Sequence, residues 1–450
     1  MTNYKSNKIK QAIKSSLSLA GILAILAFGT SSCDSMLEVT DPDIVTPDNL
    51  NSEAGIATLR ACSLGDLAVA ISGSAAGHGA TTGLIVMSGL MSDEYDYSGT
   101  FPTRREADTR IVQNINFDVD RIYGNLHRAR ASAEATVDLI STFGGFENTK
   151  SEMESVVGYV YILFAETYCA GISFSKAPAD GGDLILGEPQ TTDQMFQAAI
   201  NWFDDAIADA TPGSDLEYLA RVGKARALLG LGQIADAANE VSSVPDDFVY
   251  NVEHSENSLR QQNGVYIMST VRRQFSIADG KGGNGLMYRS ANDPRTPWED
   301  NGEFGQDDIT PYYNQLKYDD ASDPIVFASG IEARLIEAEA AAQATQNATV
   351  ESIHTALRAT IGLPPDDLSG MTQDQLLDYH FAERAFWLYS TAHRHGDLRR
   401  LVRVYGRSVS DVFPTGDYFK VGSYDSNVVF PVPQSEANNP NYVGCLDTNP

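Results

Sequence analysis

Apolar residues recurring three and four positions apart, in blocks split by glycine or proline, make helical hairpins the main building unit of this 450-residue chain. Between Asp120 and Thr142 the apolar positions are Ile122, Leu126, Ala129, Ala133, Val137 and Ile140, one stripe of an amphipathic helix. Gly144 and Gly145 stop it. Glu152 to Cys169 repeats the pattern with Val156, Val160, Leu163, Phe164 and Thr167, and Gly171 closes it. These two blocks predict an antiparallel pair. In a second pair, a helix capped by Thr192 or Asp193 runs to about Ala210, Pro212-Gly213 turns the chain, and Leu216 to Leu229 returns. Helices are also expected from about Ser52, over Ile331–Gln343 and over Val350–Thr360. A single long, deeply buried helix is expected from Gln373 to about Val404, because Leu376, Phe381, Ala385, Leu388 and Tyr389 wrap most of its circumference.

Ahead of these blocks lies a leader. Lys5, Lys8, Lys10 and Lys14 precede an apolar run, Leu17 to Phe28, too short to span a bilayer, and small residues lead to Cys33. The layout reads as a signal peptide over residues 1–32, with Cys33 the lipidation site of a bacterial lipoprotein. Thr30 stands where a strict lipidation signal prefers Leu. Removal of the leader leaves 28 basic and 60 acidic residues, a net charge of −32 that disfavours nucleic acid and anionic lipid as partners. No later stretch approaches 18 apolar residues, so the acyl chain would be the sole membrane anchor.

Residues 33–51, rich in Asp, Pro and Thr, read as an extended tether. Residues 52–243 read as an N-terminal helical part interrupted by an irregular segment, 72–119, and residues 329–404 as C-terminal helices. Residues 244–328 form a loop-rich insert, and 405–450 an irregular C-terminal segment. An insert of that length in a compact protein usually carries function. Cys62, Cys169 and Cys445 remain for an oxidising compartment. They allow one disulfide with one thiol left over, or three buried thiols. Cys169–Cys445 is the favoured pairing, since Cys445 lies in a loose tail that gains from being tied.

The stretch Leu228-Leu229-Gly230-Leu231-Gly232-Gln233-Ile234-Ala235-Asp236-Ala237-Ala238 resembles the centre of a tetratricopeptide repeat. Ile331-Glu332-Ala333-Arg334-Leu335-Ile336-Glu337-Ala338-Glu339-Ala340, Glu383-Arg384-Ala385-Phe386-Trp387-Leu388 and Arg394-His395-Gly396-Asp397-Leu398-Arg399-Arg400 follow in order, and Val429-Phe430-Pro431-Val432-Pro433 comes near the end. Together with the Cys33-Asp34-Ser35-Met36-Leu37 leader and the Gly158–Tyr168 helix, these blocks resemble the SusD/RagB family of outer-membrane nutrient-binding lipoproteins. Ile331, Trp387 and His395-Gly396 depart from the family's common residues. The resemblance implies a mainly α fold, a tetratricopeptide-like scaffold of helical hairpins with an irregular ligand-binding half. It implies a lipid-anchored place on the outer-membrane surface and a TonB-dependent barrel transporter of the SusC type as partner. It also implies capture of an oligosaccharide or a peptide without catalysis.

Sugars are gripped by flat aromatic rings backed by amides and charged groups. The irregular segments supply Tyr95, Tyr97 and Phe101, then Tyr288, Trp298, Tyr312 and Tyr313, with Arg295 and Asn301 close by. Trp298, in the polar turn-rich loop Pro294–Gly302, is the leading candidate. Trp202 and Trp387 lie on helical faces and read as core. His393 and His395 are two apart, on different faces of a helix, and read as structural rather than as metal ligands. Gly280–Gly285 lacks the context of a phosphate loop and reads as a flexible turn. No cofactor or metal is expected. Glu383, Arg384, Arg394, Asp397, Arg399 and Arg400 read as a paired network locking helices together. Two competing readings stand beside nutrient capture: a protein-binding envelope scaffold and, ranked lower, a secreted hydrolase. Aromatics clustered on the irregular half favour capture, and aromatics lining the helical groove favour the scaffold.

Overall fold

Side-chain caps decide where half of the twelve helices named below begin. The computed structural model describes residues 52–77, 80–176 and 183–449; the leader, Cys33 and the tether lie outside the described residues. Helix α1, Glu53–Ser72, is capped by Ser52, and α4, Phe117–Phe143, by Asn116, which accepts the N–H groups of Asp118 and Val119. Between them lie α2, Leu84–Met91, and α3, Pro102–Thr109. Gly144 and Gly145, at φ 74° and 76°, turn the chain into α5, Glu147–Thr167. Helix α6, Thr192–Asp209, carries a capping box of Thr191 and Gln194, so its cap sits one residue before Thr192 and two before Asp193, the expected ones. Helix α7, Asp215–Gly230, is capped by Ser214 and followed by α8, Ile234–Val241. Helix α9, Gly330–Gln343, starts on Ser329, and α10, Asn347–Ala359, follows it. A second capping box, Thr372 with Gln375, opens α11, Gln373–Trp387, and α12, Arg394–Arg403, comes last of the long helices.

Each helix packs on its neighbour in sequence from α4 to α9, while α1 lies on α4 and α9 on both α10 and α11. Glycine notches bring three of these helices close. The Phe203 ring of α6 sits against Gly158 of α5 and Gly223 of α7, where an added Cβ would approach it to 2.7 and 2.3 Å. Gly230 meets Phe196 in the same way, at 2.5 Å. Mainly α architecture with stacked helical pairs therefore holds. Among the described residues, five short antiparallel ladders complete the fold. They pair β1, Gly73–Ser74, with β2, Thr81–Thr82; β3, Tyr95–Tyr97, with β7, Phe275–Ile277; and β4, Ile172–Ser173, with β5, Pro189–Gln190. They also pair β6, Val249–Val252, with β10, Ile325–Ser329, and β8, Trp298–Glu299, with β9, Asn314–Gln315.

Three expectations need correction. The long C-terminal helix is two helices, because Ser390 and Ala392 adopt φ of 57° and 63°. Glu94 accepts the Ser390 N–H at 2.7 Å, the Tyr95 and Ser390 hydroxyls meet at 2.6 Å, and Tyr318 donates to the Ser390 carbonyl at 3.0 Å. These tertiary partners replace the helical hydrogen bonds that the break removes. The irregular segment 72–119 contains α2, every residue of which is buried. Helix α1 is long and apolar enough to cross a membrane; here it packs in the body, with Arg60 paired to Glu152 and Asp66 to Arg260.

Buried charges tie the helices together. Arg226 of α7 forks onto Glu166 of α5 (2.9 and 2.5 Å), and Arg400 of α12 forks onto Glu339 of α9 (2.8 and 2.9 Å) and also reaches Asp397 (2.9 Å). Arg384 of α11 reaches Asp397 at 2.9 Å, and Arg399 donates to the Ala165 carbonyl at 2.7 Å. His393 lies between Arg226 and Glu332, and burial pushes its imidazole below its ordinary value. Burial likewise takes His395 down to about 3, leaving it neutral against the Val428 carbonyl. Cys169 and Cys445 are joined, with Cα atoms 5.6 Å apart, and Cys62 is free and exposed rather than buried.

Two outcomes follow from this packing. Gly223→Ala forces a methyl into the Phe203 ring and lowers stability by about 1–3 kcal/mol, read from the urea midpoint; an unchanged midpoint would mean the helices are free to separate. Arg394→Ala strands the Asp93 carboxylate, with which it forms a buried bidentate pair, and costs about 3–5 kcal/mol in the same assay.

Candidate functional site

The period of two along β3 and β7 divides their side chains between core and cleft. Tyr95 and Tyr97 face inward and pack on Phe275, with ring centroids 6.4 and 5.7 Å away. The register sets Asp96 opposite Ser276, and these two reach the floor of an open cleft of about 290 Å³. Its walls come from three loops, carrying Asp279 to Arg289, Thr310 to Tyr313, and Asp417 to Tyr424.

Each wall is braced from behind. Asp279 Oδ1 accepts the N–H groups of Arg289 and Ser290, both at 3.0 Å, and so closes the first loop on itself. Lys281 of the Gly280–Gly285 run is buried and donates to the carbonyls of Leu90 and Tyr95 at 2.6 and 2.7 Å, so that run is an anchored turn rather than a flexible one. Tyr313 donates its N–H to Ser276 Oγ (2.9 Å), and its carbonyl accepts from Ile277 (3.1 Å). The Arg289 guanidinium lies 3.6 Å over the Tyr313 ring, and Trp298 meets that ring edge-on at 5.8 Å. In the third loop Lys420 pairs with Asp307 at 2.7 Å, and Tyr418 donates to Asp108 at 2.8 Å. Phe419, 46% exposed, and Tyr424 both line the hollow.

The aromatic candidates separate by exposure. Tyr95, Tyr97, Tyr288 and Tyr312 are corrected to core residues: all four are buried, and Tyr312 donates to the Ser269 carbonyl at 2.7 Å. Tyr288 packs on Phe386 and Tyr389. Arg295 is also corrected: it is spent on Asp293 (2.6 Å) and Glu383 (2.7 Å), clamping its loop to α11. Phe101 is half-buried beneath Arg104, 4.4 Å away, and Asn301 is exposed on the loop after β8 but outside the cleft lining. Trp298 is half-buried, its indole N–H donates to the Arg289 carbonyl at 3.0 Å, and it backs Tyr313 from outside the lining. Only Tyr313 of the named rings lines the cleft. Sequence reasoning missed Arg289, Phe419 and Tyr424. Phe419, too exposed to serve a core, sits in a Gly416–Gly422 turn whose glycines adopt φ of 74° and 103°, and Tyr424 follows it, its N–H donating to the Gly416 carbonyl at 3.0 Å.

A second hollow lies on the helical side. About 520 Å³ opens between α1 and β6, lined by Arg60, Leu64, Ala68, Glu152, Asp215 and Tyr250 among others. Its one ring, Tyr250, is committed to Glu152 at 2.9 Å.

Electrostatics differ between Asp96 on the floor and the buried Asp93 and Glu94 beside it in sequence. Burial, offset by Lys281 and Arg289, pushes the Asp96 carboxyl up to about 6. Asp93, on which burial acts in the same sense, is instead held below the ordinary carboxylate value by Arg394. Burial drives Glu94 up to about 8 despite the Ser390 N–H it accepts.

No protein-family model and no curated protein sequence matches the chain. Solved structures do. A SusD superfamily protein from Parabacteroides distasonis superposes with a TM-score of 0.67 at 12% identity, covering 89% of this chain and 99% of that one. The surface glycan-binding protein A from Bacteroides uniformis gives 0.66 at 12%, covering 88% and 99%. A laminarin-binding SusD-like protein gives 0.65 at 12%, with the same coverage of 88% and 99%. The chain therefore has the SusD-like fold over nearly its whole described length.

Protonation of Glu94 is measurable. An acid raised from 4.5 to about 8 in the fold contributes stability that is complete below pH 4.5 and is lost as pH rises through 8. Glu94→Gln should flatten that loss, so the urea midpoint of the variant falls less between pH 5 and 8.5 than that of the parent. Parallel profiles would refute a buried, protonated Glu94.

Proposed function

We propose that this chain is a SusD-type surface lipoprotein, acylated at Cys33, that captures an oligosaccharide in the cleft between β3–β7 and the Phe419 loop. It passes the ligand to a TonB-dependent barrel transporter of the SusC type in the outer membrane. Capture is binding without bond chemistry.

One observation carries this reading: Tyr313, Phe419 and Tyr424 gather around an open hollow on the loop side, whereas the helical-side hollow holds one ring, already hydrogen-bonded. Flat rings beside carboxylates, a hydroxyl and a guanidinium fit the alternating apolar and hydroxylated faces of a sugar. The glycan-binding names of two fold relatives point the same way. The protein-scaffold reading rests on the size of the α1–β6 hollow and on β6, which pairs only with β10 in its ladder.

Calorimetric titration with a panel of neutral and charged oligosaccharides and peptides tests the proposal. Phe419→Ala should weaken the binding of the active ligand about tenfold and move the unfolding midpoint little, because the residue is 46% exposed and lies outside the core. Trp298→Ala should weaken it less, acting through Tyr313. If no ligand binds, and no barrel protein co-purifies with the lipidated chain from its own envelope, capture is wrong.

A further inference from the structure

The cleft holds a cation that no carboxylate meets at ion-pair distance, although Asp96 on the floor feels its charge. Acids outnumber basic residues 60 to 32 in this chain, so an arginine left unpaired is not short of acids to meet. Arg226, Arg295, Arg394 and Arg400 each grip carboxylates. Among the described residues Arg289 makes no ion pair and its guanidinium donates no hydrogen bond to the protein; its Nε is buried without a partner.

Stacking holds this group in place without neutralising it. Its central carbon lies 3.6 Å over Tyr313 and 5.9 Å from the Trp298 ring. The Asp279 carboxylate, the nearest acid along the loop, is taken up by the backbone N–H groups of Arg289 and Ser290 and by the Ser290 hydroxyl. The same carbonyl that ends the Arg289 main chain accepts the Trp298 indole N–H at 3.0 Å, which fixes the backbone from which the side chain extends. A planar fork, oriented by a ring and lacking an acceptor, is suited to a ligand oxyanion presenting two oxygens.

We propose that the cleft selects an acidic oligosaccharide, and that Arg289 forks onto a uronate carboxylate or a sulfate ester of the bound sugar. This rests on the capture reading and narrows its ligand class. Rings at Phe419 and Tyr424 meet the sugar faces, while Arg289 supplies the one charge that discriminates. In a protein of this net charge the surrounding field repels anions, so recognition must come from that short-range contact.

The test compares matched ligands. Oligogalacturonate, oligoalginate and a sulfated galactan oligosaccharide are titrated into the parent, each beside its methyl ester or desulfated counterpart. At least one acidic form should bind about tenfold more tightly than its neutral partner. Arg289→Gln should erase that preference, weakening the acidic form about tenfold more than its neutral partner, and Arg289→Lys, which keeps charge but loses the fork, should restore only part of it. Neutral sugars binding as well as acidic ones, or a preference that survives Arg289→Gln, would overturn the acidic-ligand inference alone. Failure of every sugar, acidic and neutral, would overturn the capture reading with it.

Discussion

The carboxylate of Asp93 joins the helical frame to the cleft. It accepts two hydrogen bonds from Arg394 of α12, at 2.7 and 2.8 Å, and one from the Leu286 N–H, at 2.9 Å. One side chain thus clamps the last long helix, the start of β3 and the loop that carries Arg289. Isolated, a charge at this depth would be driven to protonate. Arg394 reverses that tendency, and the pair is worth keeping for position more than for net stability. Three residues on, Asp96 faces the cleft without an ion-paired partner, and its carboxyl rises to about 6. The contrast is set by who faces each acid, since Asp93, Glu94 and Asp96 lie within four residues at the start of β3.

The remaining buried ions follow the same logic across α5, α7, α9, α11 and α12. Each arginine fork spans two helices, so a one-turn slip would leave two charges unpaired at once. That makes register, rather than affinity between apolar faces, the quantity the network controls. Glycine notches act beside it: Phe203 can enter between α5 and α7 only where Gly158 and Gly223 leave room. The frame is rigid for reasons independent of the loops it supports.

Helix existence and pairing were legible because apolar spacing and caps are local signals. Ends were readable to within a few residues at Gly144, Pro212 and Thr191. The break at Ser390 was not legible: the apolar pattern runs through it, and its cause, Glu94 with Tyr95 and Tyr318, lies far away in sequence. The aromatic candidates failed for a related reason. A tyrosine in a loop-rich segment can face either way, and strand alternation sent Tyr95 and Tyr97 to the core while Asp96 between them went to the cleft. Composition marked the region; only pairing with β7 chose the side.

Placement of the C-terminal rings turns on the tail being tied down. Phe430 donates to the Thr167 carbonyl and accepts from Cys169, both at 2.8 Å, and the Cys169–Cys445 bond fastens the chain beyond it to the end of α5. The link closes a span of 276 residues in sequence, where the unfolded chain loses most freedom by being joined. Phe419 and Tyr424 therefore lie on a segment bounded by α12 on one side and by this staple on the other. Their own turn is held by Tyr418 on Asp108 and by Lys420 on Asp307. Asp108 also accepts from Lys281 at 2.5 Å, at the base of the Arg289 loop. Two of the three walls of the cleft thus share one buried acid, which couples the position of the exposed rings to the position of the unpaired guanidinium.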